Sequence, residues 1–191
     1  MTMKIIDVNY QWESELKKRN STEYIILHHR VGLGDALSIH KGHLKNGWCG
    51  IGYHFYVRKD GAVYRGRPLA TVGAHCTGYN GQSIGVCFEG NFETEEAMPV
   101  KQKNAGKQLV SHLLGLYPKA TVKRHKDFSK TACPGKNFPF DEIKKGECEM
   151  TVEEAVEIIQ AKAGIEDGTV EFLLCYKYGE ELVLKLAEAM A

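Results

Sequence analysis

Tyr24-Ile-Ile-Leu-His-His29 is the stretch from which the fold can be read. The apolar run Tyr24–Leu27 is preceded by Ser21 and Thr22 and followed by the loop Val31–Asp35, the pattern of a short buried strand. Two histidines close it, and a strand end holds a side chain more rigidly than a loop does. Outward from this strand, Ala36–Asn46 reads as a helix stopped by Gly47. Tyr53–Arg58 and Ala62–Arg65 read as strands joined around Asp60-Gly61, a strong hairpin signal. Ile84–Phe88 is a further apolar strand, entered through the glycine- and asparagine-bearing loop Thr77–Ser83. From Gln102 to Tyr117, Ala105, Leu109, Val110, Leu113, Leu114 and Tyr117 recur at helical spacing until Pro118 ends the helix. Val122–Arg124 reads as a short strand leading into His125. The fold class expected is α/β, a central mixed β-sheet flanked by helices with a cleft along one sheet face.

A second, smaller region follows. Lys144–Glu149 reads as a linker separating a body, 1–146, from a helical unit, 149–191. Thr151 with Glu154 forms a capping-box pattern, and Val152, Ala155, Val156, Ile159 and Ala163 form an apolar stripe that Gly164 stops. Two more helical pieces, Val170–Tyr178 and Glu180–Met190, complete the unit. It is short for independent folding, so packing on the body or self-association into a homo-oligomer is expected, with attachment to the body's own target as a third option.

Bulk properties exclude several classes. A chain of 191 residues with 43% hydrophobic content accommodates one compact domain and a small appendage. No apolar run approaches the ~20 residues that cross a bilayer. Met1–Asn9 has no basic start, apolar stretch or small-residue cleavage site, so no signal peptide is expected. The six cysteines lack paired spacing and read as free thiols rather than a disulfide framework. The net charge of +1 conceals a division: from Glu147 onward, eleven acidic residues face three lysines, a net of −8, against +9 for the rest. A basic body attracts polyanions, but no nucleic-acid recognition motif is present, so nucleic acid is not expected as a partner.

The chemistry-bearing residues are His28 or His29 at the strand end, with His125 and Cys133 flanking one basic loop. Two imidazoles and a thiolate suit Zn²⁺, and three protein ligands leave a fourth tetrahedral position open. Taken alone, this spacing is weak evidence for a metal site and more simply describes a surface histidine and a buried thiol. His40 and His43, three apart on the first helix, have ligand-compatible spacing but read more simply as packing residues. Trp48 reads as a core aromatic anchoring its loop.

Seven segments carry a resemblance: Ile25-Ile-Leu-His-His29, Gly50-Ile-Gly-Tyr-His-Phe55, Asp60-Gly-Ala-Val-Tyr-Arg-Gly-Arg67, Gly73-Ala-His75, Gly78-Tyr-Asn80, Ser83-Ile-Gly-Val86 and Thr131-Ala-Cys-Pro-Gly135. In this order, over about residues 20–140, they resemble the type-2 N-acetylmuramoyl-L-alanine amidases, which include phage and prophage endolysins and the peptidoglycan recognition proteins. The resemblance implies that His28, His125 and Cys133 bind zinc in the cleft. It also implies that Tyr53 is catalytic and that Thr131 stands where relatives carry lysine or threonine. Some relatives hold a glutamate base where this chain has Cys87, a departure that leaves Tyr53 to handle the water; Glu89, on the same strand, is a weaker substitute. The resemblance places His75 and Asn80 in the region that contacts the peptide stem or sugar, and His29 where it orients its neighbours or touches substrate; the guanidinium groups of Arg65 and Arg67 suit stem-peptide carboxylates. The implied partner is bacterial peptidoglycan, cut at the bond between N-acetylmuramic acid and L-alanine. The implied setting is a host cytoplasm until lysis, then the cell wall. The alternative is a peptidoglycan-binding protein of the same fold that does not cleave.

Overall fold

The computed structural model describes residues 4–32, 34–146, 150 and 152–190. Residues 147–149 of the expected linker, including Cys148, and the expected cap Thr151 lie outside them. The chain separates into two compact units, Met1–Cys148 and Glu149–Ala191.

In the first unit, strands β1 (Ile5–Ile6), β2 (Tyr24–Arg30), β3 (Phe55–Val57), β4 (Val63–Arg65), β5 (Ser83–Glu89) and β6 (Thr121–Arg124) form one sheet in the order β1-β4-β3-β5-β2-β6. Among the named strands of the described residues only the β3–β4 hairpin is antiparallel, so the sheet is mixed, as expected. Asp60 Oδ1 accepts the Ala62 N–H in that hairpin, and Gly61 takes φ +87°, which favours glycine. Strand β2 runs three residues beyond the apolar stretch because His28, His29 and Arg30 continue the ladder against Cys87, Phe88 and Glu89 of β5. Both histidines are therefore held inside the sheet. Tyr53 precedes β3, whose pairing with β4 and β5 starts at Phe55.

Alternation along the central strands divides the sheet into two faces. On one, Ile25 and Leu27 of β2 and Ile84, Val86 and Phe88 of β5 pack with Leu109, Val110 and Leu113 of helix α2 (Val100–Leu116). Gly106 lets this helix approach closely, since a Cβ there would lie 2.5 Å from the Phe88 ring. The buried Gln102 amide donates to the carbonyls of Val57 and Glu89, tying α2 to the ends of β3 and β5. Helix α3 (Phe140–Lys145) adds Ile143 to the same core. Neither β1 nor α3 has a clear sequence signal: two and six residues are too few for a period to emerge.

Helix α1 (Ala36–Lys45) serves the other face. Asp35 caps it by accepting the Ser38 N–H at 2.7 Å. Its histidines are backbone clamps: His40 Nδ1 accepts from Ile51 N–H and His43 Nδ1 from Gly52 N–H, each at 3.1 Å. They hold the segment that delivers Tyr53.

In the second unit, helices α4 (Val152–Ala163), α5 (Asp167–Leu174) and α6 (Gly179–Met190) bury Ala155, Ile159, Val183 and Ala187 together. Helix α5 starts earlier and ends earlier than expected, because Tyr176–Tyr178 form the turn into α6, with Gly179 N–H reaching the Tyr176 carbonyl. Phe172, Tyr176, Tyr178 and Leu182 are exposed. Among the described residues, no helix is long and apolar enough to cross a membrane, and Cys49, Cys76, Cys87, Cys133 and Cys175 are free thiols.

Candidate metal centre

His28 alternates onto the face opposite α2 and is 1% exposed. His125 opens a single 3₁₀ turn, His125–Asp127, at the end of β6. Asp127 stabilises the turn by accepting the Arg124 N–H at 2.8 Å and pairing with its guanidinium at 3.0 Å. Cys133 lies on the following loop, tied back by a Lys126 N–H bond to its carbonyl. Gly135 closes the loop at φ +103°, where a Cβ would strike the backbone of Phe92.

The donor atoms of His28, His125 and Cys133 all lie within 4.8 Å of one another. Cys133 Sγ is 3.9 Å from His28 Nδ1, and the two imidazole centroids are 4.5 Å apart. Tetrahedral Zn²⁺ with ordinary Zn–N and Zn–S bonds places such atoms about 3.5 Å apart, so small shifts would seat an ion. The electrostatics agree. Burial, then the neighbouring His125 and His29, keeps His28 well below the usual imidazole pKa, and burial also lowers His125. Both lone pairs are therefore available at neutral pH. Burial pushes the Cys133 thiol up to about 11, against the pull of the His29 N–H. A thiol in such surroundings becomes a thiolate when a cation compensates the charge. The soft, neutral-nitrogen-plus-sulfur set fits zinc chemistry.

Tyr53 stands beside this group, its ring centroid 5.3 Å from that of His28. Its hydroxyl lies beside the Cys87 thiol, and burial raises its pKa well above the usual phenol range. Thr131 is exposed and not among the residues lining the groove, and its Oγ1 accepts the Cys133 N–H at 3.2 Å. His75 is buried, with Nδ1 3.0 Å from His28 Nε2. Asn80 Oδ1 accepts the N–H groups of His75 and Cys76, holding their turn. An open groove of about 680 Å³ is lined by Tyr53, Arg67, His75, Asn80, His125 and Trp48, among others.

Other expected residues are placed differently. His29 turns away from His28: its Nδ1 accepts from Phe92 N–H at 3.1 Å, while its backbone N–H donates to Cys133 Sγ at 3.4 Å. Arg65 pairs with Asp7 at 2.6 Å and is not among the residues lining the groove. Arg67 does line it, with Nε and Nη1 anchored on the carbonyls of Ile51 and Val72. Glu89 shares the face of Cys87 but is committed to Lys59 N–H and the Arg58 guanidinium. Trp48 is no core anchor: it is 45% exposed on the groove wall, with its ring 4.6 Å from that of His43. The Tyr53–Cys87 contact and Trp48's position were missed in the sequence because Tyr53 and Trp48 lie on irregular segments that reach their neighbours without any fixed spacing.

Comparison with known proteins matches this geometry. Residues 18–136 match the family model described as N-acetylmuramoyl-L-alanine amidase. The endolysin of Escherichia phage T7 is 33% identical over 131 residues, covering 63% of this chain and 85% of the relative. Peptidoglycan-recognition protein SC2 of Drosophila melanogaster is 31% identical over 138 residues, covering 65% of this chain and 74% of the relative. The structure of the N-acetylmuramoyl-L-alanine amidase LysC from Clostridium intestinale superposes with a TM-score of 0.72 at 43% identity, covering 75% of this chain and 97% of LysC. With the matched segment spanning most of the sheet and all three donors, the chain belongs to the N-acetylmuramoyl-L-alanine amidase (Amidase_2) family.

Proposed function

We propose that the chain is a zinc-dependent endolysin that hydrolyses the amide between N-acetylmuramic acid and L-alanine in bacterial peptidoglycan. The observation that carries this reading is the convergence of His28, His125 and Cys133 beside Tyr53 at the edge of an open groove. When bound, zinc supplies Lewis-acid polarisation of a carbonyl and a lowered pKa for water. His28 and His125 hold the ion through nitrogen, and Cys133 holds it through sulfur.

The remaining steps belong to this chain's side chains. Tyr53 stays protonated because burial raises its pKa, so it acts as an O–H donor that orients the attacking water and then steadies the tetrahedral species. Thr131 uses its oxygen to accept the Cys133 N–H, leaving its proton free to reach the developing oxyanion. Arg67 presents a buried guanidinium held by backbone carbonyls, suited to a stem-peptide carboxylate in the groove. It takes the role that Arg65, engaged with Asp7, does not. His29, His75 and Asn80 act mainly by holding the ligand frame, with Asn80 also at the groove wall. Release of such an enzyme from a host cytoplasm at lysis completes the reading.

The test is turbidity loss of purified cell walls, with identification of the newly freed end group. The expected result is clearing that a chelator stops, that zinc restores, and that frees the amino group of L-alanine. Cys133→Ser should lose both metal and clearing, because a neutral hydroxyl replaces a thiolate. Clearing that ignores the chelator, or frees a sugar end, would overturn the reading. Wall binding without clearing would select the non-catalytic alternative.

A further inference from the structure

Behind the proposed ligands runs a chain of hydrogen-bonding groups whose direction can be worked out from its far end. Ser83 Oγ lies 2.6 Å from the carbonyl oxygen of Tyr79, and a carbonyl can only accept. The single hydroxyl proton of Ser83 is therefore committed there. Its lone pairs face His75 Nε2 at 3.4 Å, so that nitrogen carries a proton and donates. His75 Nδ1 is then the bare nitrogen and accepts from His28 Nε2 at 3.0 Å. With its proton on Nε2, a neutral His28 has its lone pair on Nδ1, the atom 3.9 Å from Cys133 Sγ. Reversing the arrangement would set a bare Nε2 of His75 against the lone pairs of Ser83.

The space for this relay is built into the fold. Ser83, Gly85 and Cys87 alternate onto the same face of β5, and the missing side chain of Gly85 is where the His75 ring sits. A Cβ at residue 85 would lie 2.5 Å from both His75 Cγ and Cδ2, and one at Gly73 would also strike the ring. Asn80 secures the backbone of the same residue by accepting the His75 N–H at 2.8 Å. The ring is thus confined on its faces, at its main chain and at both nitrogens.

We infer that His75 is a positioning residue that, through Ser83 and the Tyr79 carbonyl, fixes His28 in the Nε2–H tautomer with Nδ1 aimed at the metal position. This role rests on the metal-centre reading above. It differs from a substrate contact, because the relay is complete in the protein by itself. Groups that hydrogen-bond behind a ligand histidine typically contribute 10–100-fold in metal affinity.

The experiment uses the full chain. Imidazole ¹⁵N spectra of the metal-free protein are expected to show His28 as the Nε2–H tautomer; an Nδ1–H tautomer would overturn the inference. His75→Phe retains a ring but offers no acceptor, and is expected to bind Zn²⁺ and Co²⁺ about 10–100-fold more weakly in chelator competition, with an altered Co²⁺ absorption band. His75→Gln, whose amide oxygen accepts a hydrogen bond, should recover part of that loss, and Ser83→Ala should weaken binding less than His75→Phe. In wall clearing, excess zinc should recover part of the turnover that His75→Phe loses, whereas a loss caused by a missing substrate contact would not respond to zinc. Equal metal affinity in wild type and His75→Phe would overturn the role. If the wild type binds no metal, the proposed function falls, yet the tautomer spectrum still judges the relay. It does so as well if His75→Phe fails to fold.

Discussion

Beneath α2, strands β2 and β5 present Ile25, Leu27, Ile84, Val86 and Phe88 to an aliphatic layer; on the reverse of the same strands stand His28, Ser83, Gly85 and Cys87. The first surface is held by area removed from water, worth about 25 cal/mol per Å² and indifferent to direction. The second is held by directed bonds: His54 accepts from Gly85 N–H and donates to the Thr71 carbonyl, and His75 bridges His28 and Ser83. One sheet therefore separates two tasks, cohesion on one side and atomic placement on the other. Substitutions on the two faces should fail in different ways.

The largest expected effect is on cohesion. Leu109→Ala, at a fully buried position under the sheet, should cost about 3–5 kcal/mol by denaturant unfolding while zinc affinity stays within twofold. A parallel loss of metal affinity would show that the two faces are coupled. Next comes placement: Tyr53→Phe should retain zinc and the wild-type melting temperature but lose about 10²–10³ in turnover. Retained full turnover would remove Tyr53 from the chemistry.

The smallest effect is a pH dependence set by His54. Burial holds this imidazole at about 3 in the folded protein, against 6.5 for an exposed one. The unfolded chain binds a proton below pH 6.5 that the folded chain refuses until about pH 3, so stability is complete above 6.5 and declines as pH falls through that window. Between pH 7 and pH 5 this single group should remove about 2 kcal/mol. The same titration of His54→Gln should be flatter by that amount; an unchanged slope would place a proton on folded His54 well above pH 3.

Periodicity made the cohesive face legible: the apolar run ending at Leu27, the helical spacing from Ala105 to Leu114 and the Asp60-Gly61 turn each report a repeating geometry. The motif order also singled out His28, His125 and Cys133, which converge. The rest of the groove has no period to read. Trp48, Arg67 and Tyr53, the last set against Cys87 of β5, come from loops whose ends are fixed by hydrogen bonds to distant residues. Arg65 and Arg67, two apart in sequence, part company where Gly66 and Arg67 donate to the carbonyls of His54 and Tyr53 beyond the end of β4. Glu89 shows the limit of alternation: it lies on the predicted face, yet the Lys59 N–H and the Arg58 guanidinium engage its carboxylate.

The peptide N–H of residue 29 points at the Cys133 sulfur. Because that donor is main chain, an alanine scan would pass over it, and any substitution at position 29 other than proline leaves it intact. The sulfur is thus steadied by a dipole that side-chain variation at its own position, proline apart, does not remove. Deleting it takes proline at position 29, which would also disturb the strand, or backbone chemistry, an ester in place of one amide.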